Sequence, residues 1–133
     1  MNSPAPVPAA TEDKTVAVVA YLTLVGFIAA IIIHNGKKTA LGAYHLRQAM
    51  GIVLSYVALG VLYFVSMAIA AILVFVPILA VIVGGAMYTV CGLVGLFITV
   101  LWVVGLIYAI NGQEKPVPVL GALFQKWFKT AFV

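Results

Sequence analysis

Charge is what this sequence lacks. Only 8% of its 133 residues are Asp, Glu, Lys or Arg, seven basic against three acidic, while 65% are hydrophobic. Soluble domains are about 25% charged and about 45–50% apolar. A soluble domain of this length needs far more polar surface to cover its core. The composition therefore excludes an ordinary soluble enzyme, a disordered chain and a nucleic-acid-binding domain. From Ala49 to Ile110, 62 residues, there is no Asp, Glu, Lys, Arg, His, Asn or Gln. No carboxylate pair, proton relay or metal site can be assembled within such a run. The single cysteine, Cys91, excludes a disulfide framework and a Cys-based metal site. Ser55, Ser66, Thr89 and Thr99 have no base beside them, so each hydroxyl is expected to bond a backbone carbonyl one turn back. The sequence predicts no catalytic residue, no metal, no cofactor and no enzymatic activity.

What is present is apolar length. Thr15–Ile33 carries no charge over 19 residues and ends at His34-Asn35-Gly36, a helix-stop sequence, before Lys37 and Lys38. At 1.5 Å per residue it would cross about 28 Å, close to the ~30 Å hydrocarbon core. The 62-residue run is long enough for two further spans, with a break at Val76-Pro77. The expected architecture is an all-α integral membrane protein with transmembrane helices at about 12–34, 42–76 and 80–110. Residues 1–14, rich in Pro and Ala, read as a disordered tail. Thr11 would cap the first helix, with Glu12 and Asp13 in its first turn. With no positive n-region the tail is not a signal peptide, and the first span reads as an uncleaved insertion signal of a bacterial inner-membrane protein. After the three-helix domain (15–118), residues 119–133 place Leu120, Leu123, Phe124, Trp127, Phe128 and Phe132 at helical spacing. This segment reads as an amphipathic helix lying at the membrane interface, anchored by Trp127 and Phe128 with Lys126 and Lys129.

The charge of +4 and pI near 9.4 could suggest nucleic acid. All seven basic residues, however, flank apolar runs instead of clustering on a polar face, so they read as an orientation signal. With three spans, the first loop (Lys37, Lys38, Arg47) and the C-terminal segment share the cytoplasmic side, and the N-terminus lies outside. No nucleic-acid partner is expected.

Two groups of residues are candidates for function. At the entry to the second span, His45, Arg47 and Gln48, with Lys37 and Lys38, could meet anionic lipid headgroups or a partner protein; the alternative is a snorkelling anchor that fixes the helix start. Small residues form a candidate packing seam: Gly51 and Ser55 on the second span, and Gly85, Thr89, Gly92, Gly95 and Thr99 on the third. Such positions let helices approach closely in lipid. They would serve packing within the monomer, a homo-oligomer or contact with other membrane protein subunits.

The segment Tyr44-His45-Leu46-Arg47-Gln48-Ala49, the helix exit Ala109-Ile110-Asn111-Gly112, and Lys115-Pro116-Val117-Pro118 before Leu120-Gly121 together resemble the small bacterial membrane proteins of the Tic-twenty-like family. That family is related to the plastid inner-envelope protein-import component. The resemblance covers about residues 15–125. It implies a compact helical membrane domain, a link to protein translocation, and an interface site at His45, Arg47 and Gln48. The leading functional expectation is a non-catalytic accessory subunit of a larger membrane assembly. An oligomeric transporter or channel is the alternative, and a lipid-surface enzyme using His45 as base comes last.

Overall fold

A computed structural model describes residues 13–133, which form five α-helices: α1 (Thr15–Val19), α2 (Leu24–Gly36), α3 (Ala40–Ile72), α4 (Pro77–Ile110) and α5 (Gly121–Trp127). The expected cap at Thr11 and neighbouring Glu12 lie outside the described residues. Asp13 lies within them, and its Oδ1 accepts the Thr15 amide at 2.9 Å.

α3 and α4 form a long antiparallel hairpin. With the 3-10 turn Leu73–Phe75 that follows α3, they provide apolar segments of 36 and 34 residues, each about 50 Å long at 1.5 Å per residue. Only 6% and 22% of their most apolar stretches are buried inside the fold. The core helix of a soluble protein would be mostly covered, so these two helices point to a membrane location. The hairpin turns at Val76, whose φ of −123° and ψ of 81° leave the helical region. The following proline disfavours an α conformation there, and Pro77 itself starts α4, where its missing amide hydrogen costs nothing. α3 begins with Thr39, whose Oγ1 accepts the Gly42 amide at 3.0 Å. α4 ends in a Schellman turn. Gly112 sits at φ +66°, its amide reaches Ala109 O, and the Gln113 amide reaches Tyr108 O.

The first apolar run does not form the single spanning helix its length suggests. It breaks after Val19, turns through Ala20–Thr23 and restarts as α2, capped by Thr23 Oγ1 accepting the Gly26 amide at 2.9 Å. The break has a packing cause. Tyr21 is 2% exposed, its ring lies against Gly105 of α4, and the Trp102 indole donates to its carbonyl at 2.7 Å. Turned outward by this contact, the chain doubles back. Val16 and His34 both abut Gly42, and Lys37 lies 3.9 Å from Asp13. α1 and α2 are therefore a helical hairpin that enters and leaves at one end. This corrects two expectations. Among the described residues two helices, not three, are long enough to cross a membrane, and residues 13–14 lie at the same end as the first loop, not across from it.

α1 lies in the cleft between α3 and α4, whereas α2 touches α3 and not α4. The core is concentrated here: Val16, Ala17, Ala20, Tyr21, Leu41, Leu46, Ile52, Leu101 and Ala109 are all buried. The C-terminal segment is helical only over seven residues, not throughout 119–133, and it folds back on α3. The Phe124 ring packs directly on Gly51, where any Cβ would collide with it. Beyond this cluster the hairpin continues alone. All seven Lys and Arg residues lie at the clustered end. Among them, Lys14 reaches Ile110 O, Lys38 reaches Val133 O and Arg47 reaches Ala131 O.

Candidate functional site

The first three turns of α3 carry two buried polar side chains, His45 and Gln48. Leu41, His45, Gln48, Ala49 and Ile52 recur at helical spacing and are all buried, so one face of α3 presents an imidazole and an amide to the interior. Both side chains are 0% exposed. The expectation that His45 and Gln48 reach out to headgroups is therefore corrected. They face inward because the C-terminal segment lies over them.

His45 joins three segments of the chain. Its Nε2 lies 2.9 Å from Gln113 O, and its Nδ1 lies 3.2 Å from the Tyr21 hydroxyl. A carbonyl only accepts, so Nε2 carries the hydrogen and Nδ1 accepts from Tyr21. The Tyr21 and His45 rings meet edge to face, with centroids 5.7 Å apart. Gln48 makes a two-ended clamp. Its Nε2 donates to Lys115 O at 2.9 Å and its Oε1 accepts the Val117 amide at 2.8 Å. Because Pro116 and Pro118 have no amide hydrogen, Val117 offers the one donor of that stretch, and Gln48 takes it.

The same logic extends outward. Gln125 Nε2 donates to Tyr44 O at 2.8 Å, and Arg47 Nε donates to Ala131 O at 3.0 Å. His34 Nε2 donates to Phe132 O at 2.8 Å, and Lys38 Nζ donates to Val133 O at 2.6 Å. His34 is 1% exposed and its Nδ1 has no hydrogen-bond partner. Residues 113–133 thus form a strap held largely by side chains from α2, α3 and the loop between them. Two non-glycine residues of the strap, Val119 and Phe132, sit at φ 65° and 59°. That left-handed region is costly for a β-branched side chain.

Outside the strap, Lys37 is exposed and faces Asp13, whose carboxyl is held below its usual range, first by a hydrogen bond from the Thr15 side chain, then by the Thr15 amide. Lys126, Lys129 and Trp127 are exposed on the strap's outer surface, and Phe128 is half-buried. A cleft of about 390 Å³ opens between Lys38, Arg47, Tyr44 and Glu114. Its cations offer hydrogen-bond donors suited to a phosphate, beside one carboxylate that opposes it.

The small residues separate into three groups. Gly51 receives Phe124 of the strap, and Ser55 bonds back to its carbonyl at 2.8 Å. Gly95 takes Leu59 of α3, and Thr99 meets the Tyr56 hydroxyl at 2.7 Å, so these two lie at the α3–α4 contact. Gly85, Thr89 and Gly92 are exposed, and a Cβ at Gly85 or Gly92 would meet nothing within 4 Å. Ser55, Ser66, Thr89 and Thr99 each donate to the carbonyl one turn back. Sequence reasoning missed Tyr21, Gln125 and His34 as partners in the strap network. Tyr21 alone left a signal, as a polar tip within an apolar run that needs a partner once buried. Comparison with family models, curated proteins and solved structures finds no match to the chain.

Proposed function

We propose that this chain is a non-catalytic inner-membrane protein that works by association, as a small subunit of a larger membrane assembly. One observation carries the reading. The distal hairpin presents apolar surface on every side, while His45, Gln48 and Arg47 all bond backbone of the chain itself. The polar groups organise the protein's own fold, and the surface left for interaction is membrane-embedded and apolar. The Tic-twenty-like motifs add that this assembly is one linked to protein translocation. Interestingly placed within that resemblance, His45 and Gln48 act by holding the strap, and Arg47, Lys37 and Lys38 are the groups left near anionic headgroups.

The basic residues favour one orientation. With all seven at one end of the hairpin and none at the Val76–Pro77 tip, the clustered end faces the cytoplasm under the positive-inside rule. Extraction in mild detergent after in-cell crosslinking tests the reading. The protein should migrate with other membrane proteins. Migration as a lone monomer with no crosslinked product refutes it.

A further inference from the structure

The cleft of about 390 Å³ beside the strap holds charges of both signs that do not meet. Lys38, Arg47 and Glu114 all line it, and Thr39 and Tyr44 add hydroxyls. Opposite charges on free side chains attract one another. Yet the one ion pair among the described residues lies elsewhere, between Lys37 and Asp13. Backbone anchoring keeps the cleft's charges apart. Lys38 Nζ donates to Val133 O at 2.6 Å, and Arg47 Nε donates to Ala131 O at 3.0 Å. Glu114 is fixed from both sides. The Gln113 carbonyl before it accepts from His45, and the Lys115 carbonyl after it accepts from Gln48, and both of those side chains are fully buried. The buried polar pair thus positions a carboxylate in the cleft wall, facing two cations that the strap holds in place.

We infer that this cleft binds the headgroup of a phosphoethanolamine lipid, its phosphate on Arg47 and Lys38 and its ammonium on Glu114. The inference goes beyond the subunit reading and needs only the membrane location of α3 and α4. Depth supports a lipid. The uncharged run begins at Ala49, two residues after Arg47, so the cleft opens where a spanning helix leaves hydrocarbon for headgroups. Donors for a phosphate are in place. Arg47 Nη1 and Nη2 have no partner among the described residues, and one hydrogen bond leaves Lys38 two further hydrogens. Thr39 Oγ1 accepts the Gly42 amide, so its own hydrogen is free to donate. The carboxylate then selects among headgroups. A phosphate esterified to glycerol alone brings only negative charge and is repelled by Glu114. A choline headgroup brings a cation with no N–H. An ethanolamine headgroup brings an ammonium whose hydrogens a carboxylate accepts. Two cations and a carboxylate, held apart, match a headgroup that is itself zwitterionic. The volume lies within the range of small-molecule sites, about 300–1,000 Å³.

The test uses the full chain purified in detergent. Phosphatidylethanolamine, phosphatidylcholine and phosphatidylglycerol with identical acyl chains are titrated separately, and bound lipid is counted by native mass spectrometry. The ethanolamine lipid should bind about tenfold or more tightly than either of the others, the worth of one charge-assisted hydrogen bond. Glu114→Gln should abolish that preference and raise the affinity for phosphatidylglycerol. It should leave thermal stability unchanged, because the Glu114 carboxylate has no ion-pair partner among the described residues. Lys37→Gln, outside the cleft, should leave the preference as it is. Equal affinity for the three lipids, a preference for phosphatidylglycerol in the unaltered protein, or an ethanolamine preference that survives Glu114→Gln overturns the inference. Glycerophosphoethanolamine, the same headgroup without acyl chains, separates the sources. Weak competition by it supports a membrane lipid; binding as tight as that of the lipid overturns the lipid and assigns the cleft to a soluble phosphoester. All these outcomes leave the subunit reading untouched, since that is decided by crosslinking in cells.

Discussion

Replacing Gln48 with Leu isolates the clamp on the strap. The two side chains have similar volume, so Gln48→Leu leaves little cavity and tests hydrogen bonding more than packing. It removes the donor to Lys115 O and the acceptor for the Val117 amide. Lys115 is exposed, so its carbonyl can turn to water. Val117 is 2% exposed, and its amide is left buried without a partner. Orphaning such a donor costs about 1–3 kcal/mol, and losing the second bond about 1 kcal/mol more. The sum is about 2–4 kcal/mol, or about thirty- to a thousandfold in a local opening equilibrium at ~1.4 kcal/mol per decade. His45, Arg47 and Gln125 still hold the strap at other points, so the opening stays local. Hydrogen–deuterium exchange in nanodiscs reads it directly, because Val117 has the one exchangeable amide between Pro116 and Pro118. Faster exchange there, with the α4 amides unaffected, is the expected result. Gln125→Ala serves as a control that frees the strap from Tyr44 but keeps Val117 protected. Unchanged exchange at Val117 in Gln48→Leu, or equal acceleration throughout α4, refutes the clamp.

Gly51→Ala should destabilise by about 1–3 kcal/mol, because the added methyl meets the Phe124 ring, and Phe124→Leu in the same chain should recover part of the loss in detergent thermal unfolding. Val119→Gly should stabilise the strap by up to about 1 kcal/mol by relieving the left-handed conformation at φ 65°, seen as a higher unfolding temperature or slower proteolysis near residue 119. In chains whose Cys91 is replaced by Ser, single cysteines introduced at Lys14, Asn35 and Gln113 should all react with a membrane-impermeant maleimide from one side of sealed vesicles. Labelling of position 14 from the opposite side to 35 and 113 would contradict the doubled-back first hairpin.

Composition and pattern alone determine several features of this protein. A chain with 62 consecutive residues free of Asp, Glu, Lys, Arg, His, Asn and Gln is far too apolar for an ordinary soluble core, and the length of that run accommodates two long helices. Pro77 marks their turn because it cannot continue a helix from the residue before it. The fate of the first apolar run is different. Nothing local in Thr15–Ile33 reveals that Tyr21 will bury against Gly105 and Trp102, contacts more than 80 residues away in sequence, and break the helix there. The positions of His45 and Gln48 are likewise settled at a distance. Their helical spacing puts them on one face of α3, but whether that face meets lipid or protein depends on where residues 113–133 fold. A side-chain amide has no preference between water and a buried backbone until the chain brings carbonyl and amide groups within reach. Local chemistry decides where helices start, stop and turn; long-range packing decides which polar groups are enclosed and which part of the α3–α4 cleft stays open.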